Sequence, residues 1–260
     1  MDCKTLMQES QFMPLENTIL NEIIIRKAEE ELGETEQKRK VCLQELKIMI
    51  EEEKDLNADI SEEFLLGFLR VRKFSVDAAF KLLKKYYLNR QIYPNVYRNF
   101  TPKHCHKILK ANFLNFLPLR SPEGAAVWVP RLGIWDTDIF SPEEVTKFGL
   151  LCAEKEMRNP ITQDGIPVRN KAVHVINNPG IFSILFDIMK PFLSKKLRNR
   201  IYFHGDNLSS LHQFLPPQML PEEFGGTQGS FENEQFYECL LANEEEFQQY
   251  QKFGYFSSKN

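Results

Sequence analysis

Apolar residues recur three and four apart over much of the first part of the chain, a period that predicts amphipathic helices. Residues 1–14 show no clear period and read as a mobile tail. Leu15 to Leu32 carries Ile19 and Ile23 on one stripe, and Glu36 to Lys54 carries Val41 or Cys42, Leu46 and Met49. Asp59 followed by Glu62 has the form of a capping box and predicts a third helix starting near Ile60. Its Phe64, Leu65, Phe68 and Leu69 face inward, while Arg70, Arg72 and Lys73 leave a compact basic edge. Ser75 caps a fourth helix through about Arg90, with Val76, Phe80, Leu83 and Tyr87 on the inner side.

The pattern then changes. Gln91 to Pro102 holds Pro94, Asn95 and Asn99 and reads as a surface connection. Phe113 to Leu119 leads into a turn at Ser121-Pro122-Glu123-Gly124, after which Ala126 to Leu132 reads as the first strand. Ser141-Pro142-Glu143-Glu144 starts a helix that runs through Met157, with Gly149 and Ala153 four apart on one side. Lys171 to Ile176 alternates as a strand and stops at Asn177-Asn178-Pro179-Gly180. Ile181, Phe182, Leu185, Ile188 and Met189 give the next helix a broad apolar face until Pro191. Lys195, Lys196, Arg198 and Arg200 then lead into a strand over Ile201 to Phe203, followed by a short helix around Ser209 to Leu215 and by Gly225-Gly226. Helices first and strands alternating with helices afterwards predict an α/β chain: a helical module followed by a mixed, mostly parallel small sheet flanked by helices.

Composition narrows the function classes. The 260 residues are 42% hydrophobic and 27% charged, enough for one core and a smaller helical unit. A net charge of −3 provides no global attraction to nucleic acid, so electrostatic binding requires a local patch. No apolar run approaches the roughly 20 residues needed to span a bilayer. The start, MDCKTLMQES, lacks the pattern of a secretory signal, so a cytoplasmic protein is expected. Five cysteines without a CxxC pair suit reduced thiols. His104-Cys105-His106 invites a metal reading, but adjacent ligands on a helix diverge, and no metal or cofactor is expected. GxSxG, GxxxxGK[ST], HExxH and GxGxxG are all missing from the sequence, and His204 beside Gly205 has no partnered nucleophile nearby, so no catalytic residue is assigned and an enzyme is not expected.

Three ordered motifs carry a resemblance: HVINNP, KPFLSKKLRNRIYFHG and LPEEFGG. Together they resemble the C-terminal half of a CRAL-TRIO lipid-binding domain, in the branch of α-tocopherol transfer proteins, clavesins and retinaldehyde-binding protein. Residues 61–90 resemble that family's N-terminal helical module. The resemblance divides the chain into a tail (1–14), a helical module (15–95) and a lipid-binding domain (96–260). One departure stands out. The sequence passes from Asn159-Pro160-Ile161-Thr162-Gln163 directly to Asp164-Gly165-Ile166-Pro167-Val168-Arg169, where the family pattern has about 35 further residues, roughly a strand and a helix by usual element lengths.

The resemblance implies binding of one tocopherol-, retinoid- or phospholipid-like molecule and its transfer between membranes, with peripheral membrane association. Residues matching the family's pocket are Thr146, Gly149, Ala153, Val173, Phe182 and Phe186. A basic patch matching its phosphoinositide cleft comprises Arg70, Arg72, Arg169, Lys171, Lys196, Arg198 and Arg200, since several guanidinium and ammonium groups converging on one headgroup bind better than a single charge. From the residues alone these cations read equally as solvated charges or salt bridges, and the helix of Ile181 to Phe192 reads as a core helix or as a lid. Loss of a strand and a helix leaves two outcomes, a smaller sheet closed around the gap or a marginally folded domain, and the alternative function is a lipid-incompetent chain that presents its helical module and basic patch to a membrane or a protein.

Overall fold

The computed structural model describes residues 22–122, 125–158, 172–179, 186, 195–232 and 234–256. In chain order its longer elements are α1 (Glu22–Leu32), α2 (Glu36–Glu52), β1 (Leu56–Asn57), α3 (Glu62–Val71), α4 (Val76–Ile92), α5 (Pro94–Tyr97), α6 (His106–Lys110), β2 (Leu114–Phe116), β3 (Trp128–Pro130), α7 (Pro142–Met157), β4 (Val173–Ile176), α8 (Lys195–Arg198), β5 (Ile201–Gly205), α9 (Leu208–Leu211), α10 (Glu234–Ala242), α11 (Glu244–Tyr250) and β6 (Gly254–Tyr255). The chain is thus a mixture of helices and small sheets, an α/β protein. Among the described residues the strands form three pairs: β1–β6 and β2–β3 antiparallel, β4–β5 parallel.

Two compact units divide these elements. The larger takes residues 17–116, 128–168 and 232–260, and the smaller takes 117–127 and 169–231 together with residues 1–16. The helical module therefore packs in one unit with α7, α10 and α11, which come from far along the chain.

The core of the larger unit follows the helical period. Leu46 of α2, Leu65 and Leu69 of α3, and Ala79 and Leu83 of α4 are fully buried, as one apolar stripe per helix requires. Thr35 caps α2, its hydroxyl accepting from the Lys38 amide at 3.2 Å. Helix α3 begins at Glu62, after the expected start near Ile60, because Asp59 is occupied elsewhere. One Asp59 oxygen accepts from the Ser61 amide at 2.9 Å and the other from Arg158 at 2.8 Å. Between α3 and α4, Lys73 (φ 52°) and Phe74 (φ 61°) are left-handed without being glycine. Burial of the Phe74 ring and its amide bond to the Leu69 carbonyl at 2.7 Å offset the cost of that turn. The segment after α4 is more built than a surface connection: Pro94–Tyr97 is helical, and Phe100, Thr101 and Pro102 are buried.

Buried charge ties the larger unit together. Arg70 reaches Glu34 with two bonds, 2.8 Å from Nε and 2.5 Å from Nη2, and Arg39 joins the same carboxylate. Glu154 of α7 receives the Tyr86 hydroxyl at 2.7 Å, Arg90 at 3.4 Å and Arg158 at 3.4 Å. Arg90 donates on to the Tyr250 carbonyl of α11 at 2.7 Å, and the Arg158 guanidinium lies 3.5 Å from the Tyr250 ring centre and 4.5 Å from that of Phe64. Burial by itself would raise the Asp59 carboxyl, but the Arg158 and Ser61 bonds outweigh it and hold it below the usual range.

In the smaller unit the LPEEFGG segment forms a tight closure. Gly225 has φ 70°, with the His212 ring 3.0 Å from where a Cβ would stand. A Cβ on Gly226 would collide with the Leu220 carbonyl, so a side chain there must move backbone, whereas at Gly225 the left-handed φ and the His212 ring oppose one.

Three variants test this account by urea unfolding. Arg70→Ala, which leaves the buried Glu34 carboxylate with Arg39 alone, should cost about 3 kcal/mol, whereas Lys40→Ala, from the exposed Glu36–Lys40 pair, should leave the urea midpoint unchanged. Gly226→Ala should destabilise the chain by about 3 kcal/mol through overpacking against backbone.

Candidate lipid-binding site

The parallel pair β4–β5 has two chemically distinct faces, because successive side chains point to opposite sides of a sheet. Its register places Val173 beside Ile201, His174 beside Tyr202 and Val175 beside Phe203, with an irregularity before Ile176. Val173, Val175, Ile201 and Phe203 therefore share one face, all half-buried, and the Phe186 ring lies 5.0 Å from that of Phe203. His174, Tyr202 and His204 share the other. The His174 ring stacks on Tyr202 at 5.1 Å and meets Phe214 at 4.8 Å.

The polar face is tied by a directed chain of hydrogen bonds. The Ser210 hydroxyl donates to the Asn207 carbonyl at 2.9 Å, so its oxygen accepts from His204 Nδ1–H at 2.6 Å. His204 Nε2 is then an acceptor, and His174 Nδ1–H donates to it at 2.9 Å. His204 is neutral in this arrangement, since its Nε2 accepts. Burial lowers the pKa of each below its ordinary 6.5, and for His174 the neighbouring His204 adds to the effect. These groups hold strand to strand and strand to α9, which fits a structural role for His204.

Five of the six expected pocket residues lie among the described residues, and they fall in two units. Thr146, Gly149 and Ala153 lie on α7 in the larger one. The opposite side of that helix is the core side, with Phe148, Leu151 and Cys152 fully buried. Thr146 is exposed, its hydroxyl donating to the Pro142 carbonyl at 2.7 Å. Gly149 and Ala153 are half-buried, and a Cβ on Gly149 would meet open space. Val173 and Phe186 belong to the smaller unit, on the apolar face of β4–β5. Phe182 lies outside the described residues. Val175, Ile201 and Phe203 join Val173 on that face and were missed as site residues. Strand alternation marked them, but the pairing register was needed to align the two strands.

The basic residues are also distributed. Arg70 departs from the expected patch: its side chain is fully buried on Glu34, so its charge faces the core. Arg72 is exposed at the end of α3, in the larger unit. Arg198 and Arg200 are half-buried in the smaller unit, and Lys196 lies in α8. Arg169 and Lys171 lie outside the described residues. No helix among the described residues is long and apolar enough to cross a membrane.

Comparison with known proteins gives this geometry a family. The CRAL/TRIO domain profile matches residues 157–226, which contain the β4–β5 pair and the LPEEFGG closure, and a Pinta-like UBA domain profile matches residues 35–107. A human protein, alpha-tocopherol transfer protein-like, is 35% identical over 265 residues, covering 88% of this chain and 77% of the relative. The chain belongs to the CRAL/TRIO family. Rat clavesin-1 is 30% identical over 240 residues, covering 78% of this chain and 68% of the relative. Human clavesin-2 is 28% identical over 257 residues, covering 85% and 79%. The 265-residue match is longer than this 260-residue chain, of which 88% takes part. The human relative therefore carries residues within the match that this CRAL/TRIO chain lacks.

The histidine pair yields a pH prediction. Both folded-state pKa values lie below 6.5, so the stability given by the neutral pair is complete above about pH 6.5 and is lost as pH falls below it. The urea midpoint should therefore drop between about pH 7.5 and about pH 5.5, and His174→Gln should flatten that slope.

Proposed function

We propose that this chain binds one small hydrophobic lipid of the tocopherol, retinoid or phospholipid class and carries it between membranes. The observation that carries this reading is the apolar, half-buried face of β4–β5, within the segment that matches the CRAL/TRIO domain. A parallel pair exposes apolar side chains to water at a cost, and a lipid that covers Val173, Val175, Ile201 and Phe203 removes it. Family membership supports the transfer role, since relatives of the chain are named for tocopherol transfer. For the headgroup contact we assign the cations of the smaller unit, Arg169, Lys171, Lys196, Arg198 and Arg200, to phosphoinositide recognition, leaving out the buried Arg70 and Arg72, which belongs to the larger unit. The protein would meet membranes peripherally from the cytoplasm.

A second reading is favoured by the shortfall against the relatives. A strand and a helix absent from the sheet leave less wall for a cavity, and the chain would then act as an interaction module without cargo.

Native mass spectrometry of the purified full chain, with extraction of co-purifying lipid, decides between them. One lipid per chain is expected, lost in Val175→Asp/Phe203→Asp. A folded, empty protein that takes up no tocopherol, retinoid or phospholipid would reject transfer in favour of the second reading. In parallel, Arg198→Glu/Arg200→Glu should weaken flotation with phosphoinositide vesicles roughly tenfold, through loss of charge-assisted phosphate contacts.

A further inference from the structure

A cleft on the larger unit is lined by none of the expected pocket or basic-patch residues. It has a volume of about 260 Å³ and is walled by Lys103, His104, His106 and Lys107 from one side and by Glu144 and Lys147 of α7 from the other. Its sequence signal, PKHCHK, draws attention first as a metal motif. Cys105 does not suit that role: it is buried, and burial pushes its thiol up to about 12, while His104 Nδ1 is engaged with the Thr101 hydroxyl at 2.9 Å. What the cleft presents instead is positive charge and imidazole nitrogen.

The carboxylates beside it are committed elsewhere. Glu144 accepts from the Ser141 amide at 2.9 Å while its own amide donates back to the Ser141 hydroxyl at 3.2 Å, a reciprocal cap at the start of α7. Glu244 lies buried beneath and accepts from the Lys103 amide at 2.9 Å and from Gln248 at 3.2 Å. Burial would raise its carboxyl, but these bonds, with one from Thr101 and the charge of Lys103, outweigh that and lower it below the usual range. Lys147 is fixed in the wall by its bond to the Arg98 carbonyl at 2.7 Å, which leaves two of its three ammonium donors for another partner. The ammonium groups of Lys103, Lys107 and Lys147 enter no salt bridge among the described residues. Three lysines and two imidazoles around a concave surface, with the neighbouring acids engaged by backbone amides, form a receptor for a compact anion with several oxygens.

We propose that this cleft binds a phosphate group, presented either by a lipid headgroup or by a small soluble phosphorylated molecule, as a site separate from the lipid-facing sheet. The proposal does not depend on cargo binding: an empty β4–β5 face would leave this cleft unchanged.

The test uses the full chain and follows the imidazole NMR signals of His104 and His106. Inorganic pyrophosphate should shift both signals saturably. Lys103→Ala/Lys107→Ala should weaken that binding roughly tenfold or more, through loss of two charge-assisted contacts, while Lys110→Ala, exposed one turn further along and outside the cleft wall, should leave it unchanged. Lys103→Gln/Lys107→Gln repeats the measurement with the side-chain length kept, and an unchanged thermal midpoint verifies folding. Vesicles of phosphatidylcholine with and without phosphatidic acid separate the sources. Lysine-dependent binding to the phosphatidic acid vesicles assigns the site to a headgroup, and binding of pyrophosphate without vesicle binding assigns it to a soluble phosphate. Absence of a saturable shift with either probe, or wild-type affinity in both double variants, overturns the proposal.

Discussion

The Glu154 carboxylate is the point on which the larger unit depends. It sits 4% exposed between Tyr86, Arg90 and Arg158, and each of those groups reaches a different part of the chain. Arg90 continues to the backbone of α11, Arg158 to Asp59 before α3, and both guanidinium groups lie over aromatic rings. A buried carboxylate and two buried cations would each be costly alone, and together they are tolerable only in one arrangement. That requirement fixes α7 and α11 against the helical module more specifically than apolar contact would, since greasy faces slide and a hydrogen-bonded charge cluster does not.

The smaller unit relies on a different constraint. Two parallel strands offer few backbone bonds, and among the described residues β4 and β5 pair with each other alone. Side chains supply the rest. The Ser210–His204–His174 chain and the stacked rings of His174 and Tyr202, with Phe214 tilted against both, pin one face to α9, leaving the opposite face apolar and half-buried. Division of labour by strand alternation thus gives one side to folding and the other to whatever the sheet must contact. The Gly225-Gly226 closure then turns the chain back where any side chain would strike the Leu220 carbonyl or the His212 ring.

Family membership and the shortened chain have to be held together. The CRAL/TRIO segment and the helical module are both present, and the relatives align across most of the chain. The human relative has residues that this chain lacks, while the network around Glu154 and the closure at Gly226 rest on residues that are here.

Much was legible in the sequence by itself. Helical periodicity located α2, α3, α4 and α7 to within a few residues, the Ser141-Pro142-Glu143-Glu144 start was met by a true reciprocal cap, and the two β-rich runs became β4 and β5. These are local matters, decided by side-chain period and capping chemistry within a few residues. Tertiary structure decided what the charged residues do. Arg70 looks like a surface cation beside Arg72, yet Glu34, which is 36 positions away, draws it into the core; Glu154 and Arg158 look like an ordinary exposed i, i+4 pair and prove central. Whether a charge is solvated or buried depends on which distant segment packs over it, and no local pattern encodes that partner, whereas the helix that carries it is settled by its immediate neighbours.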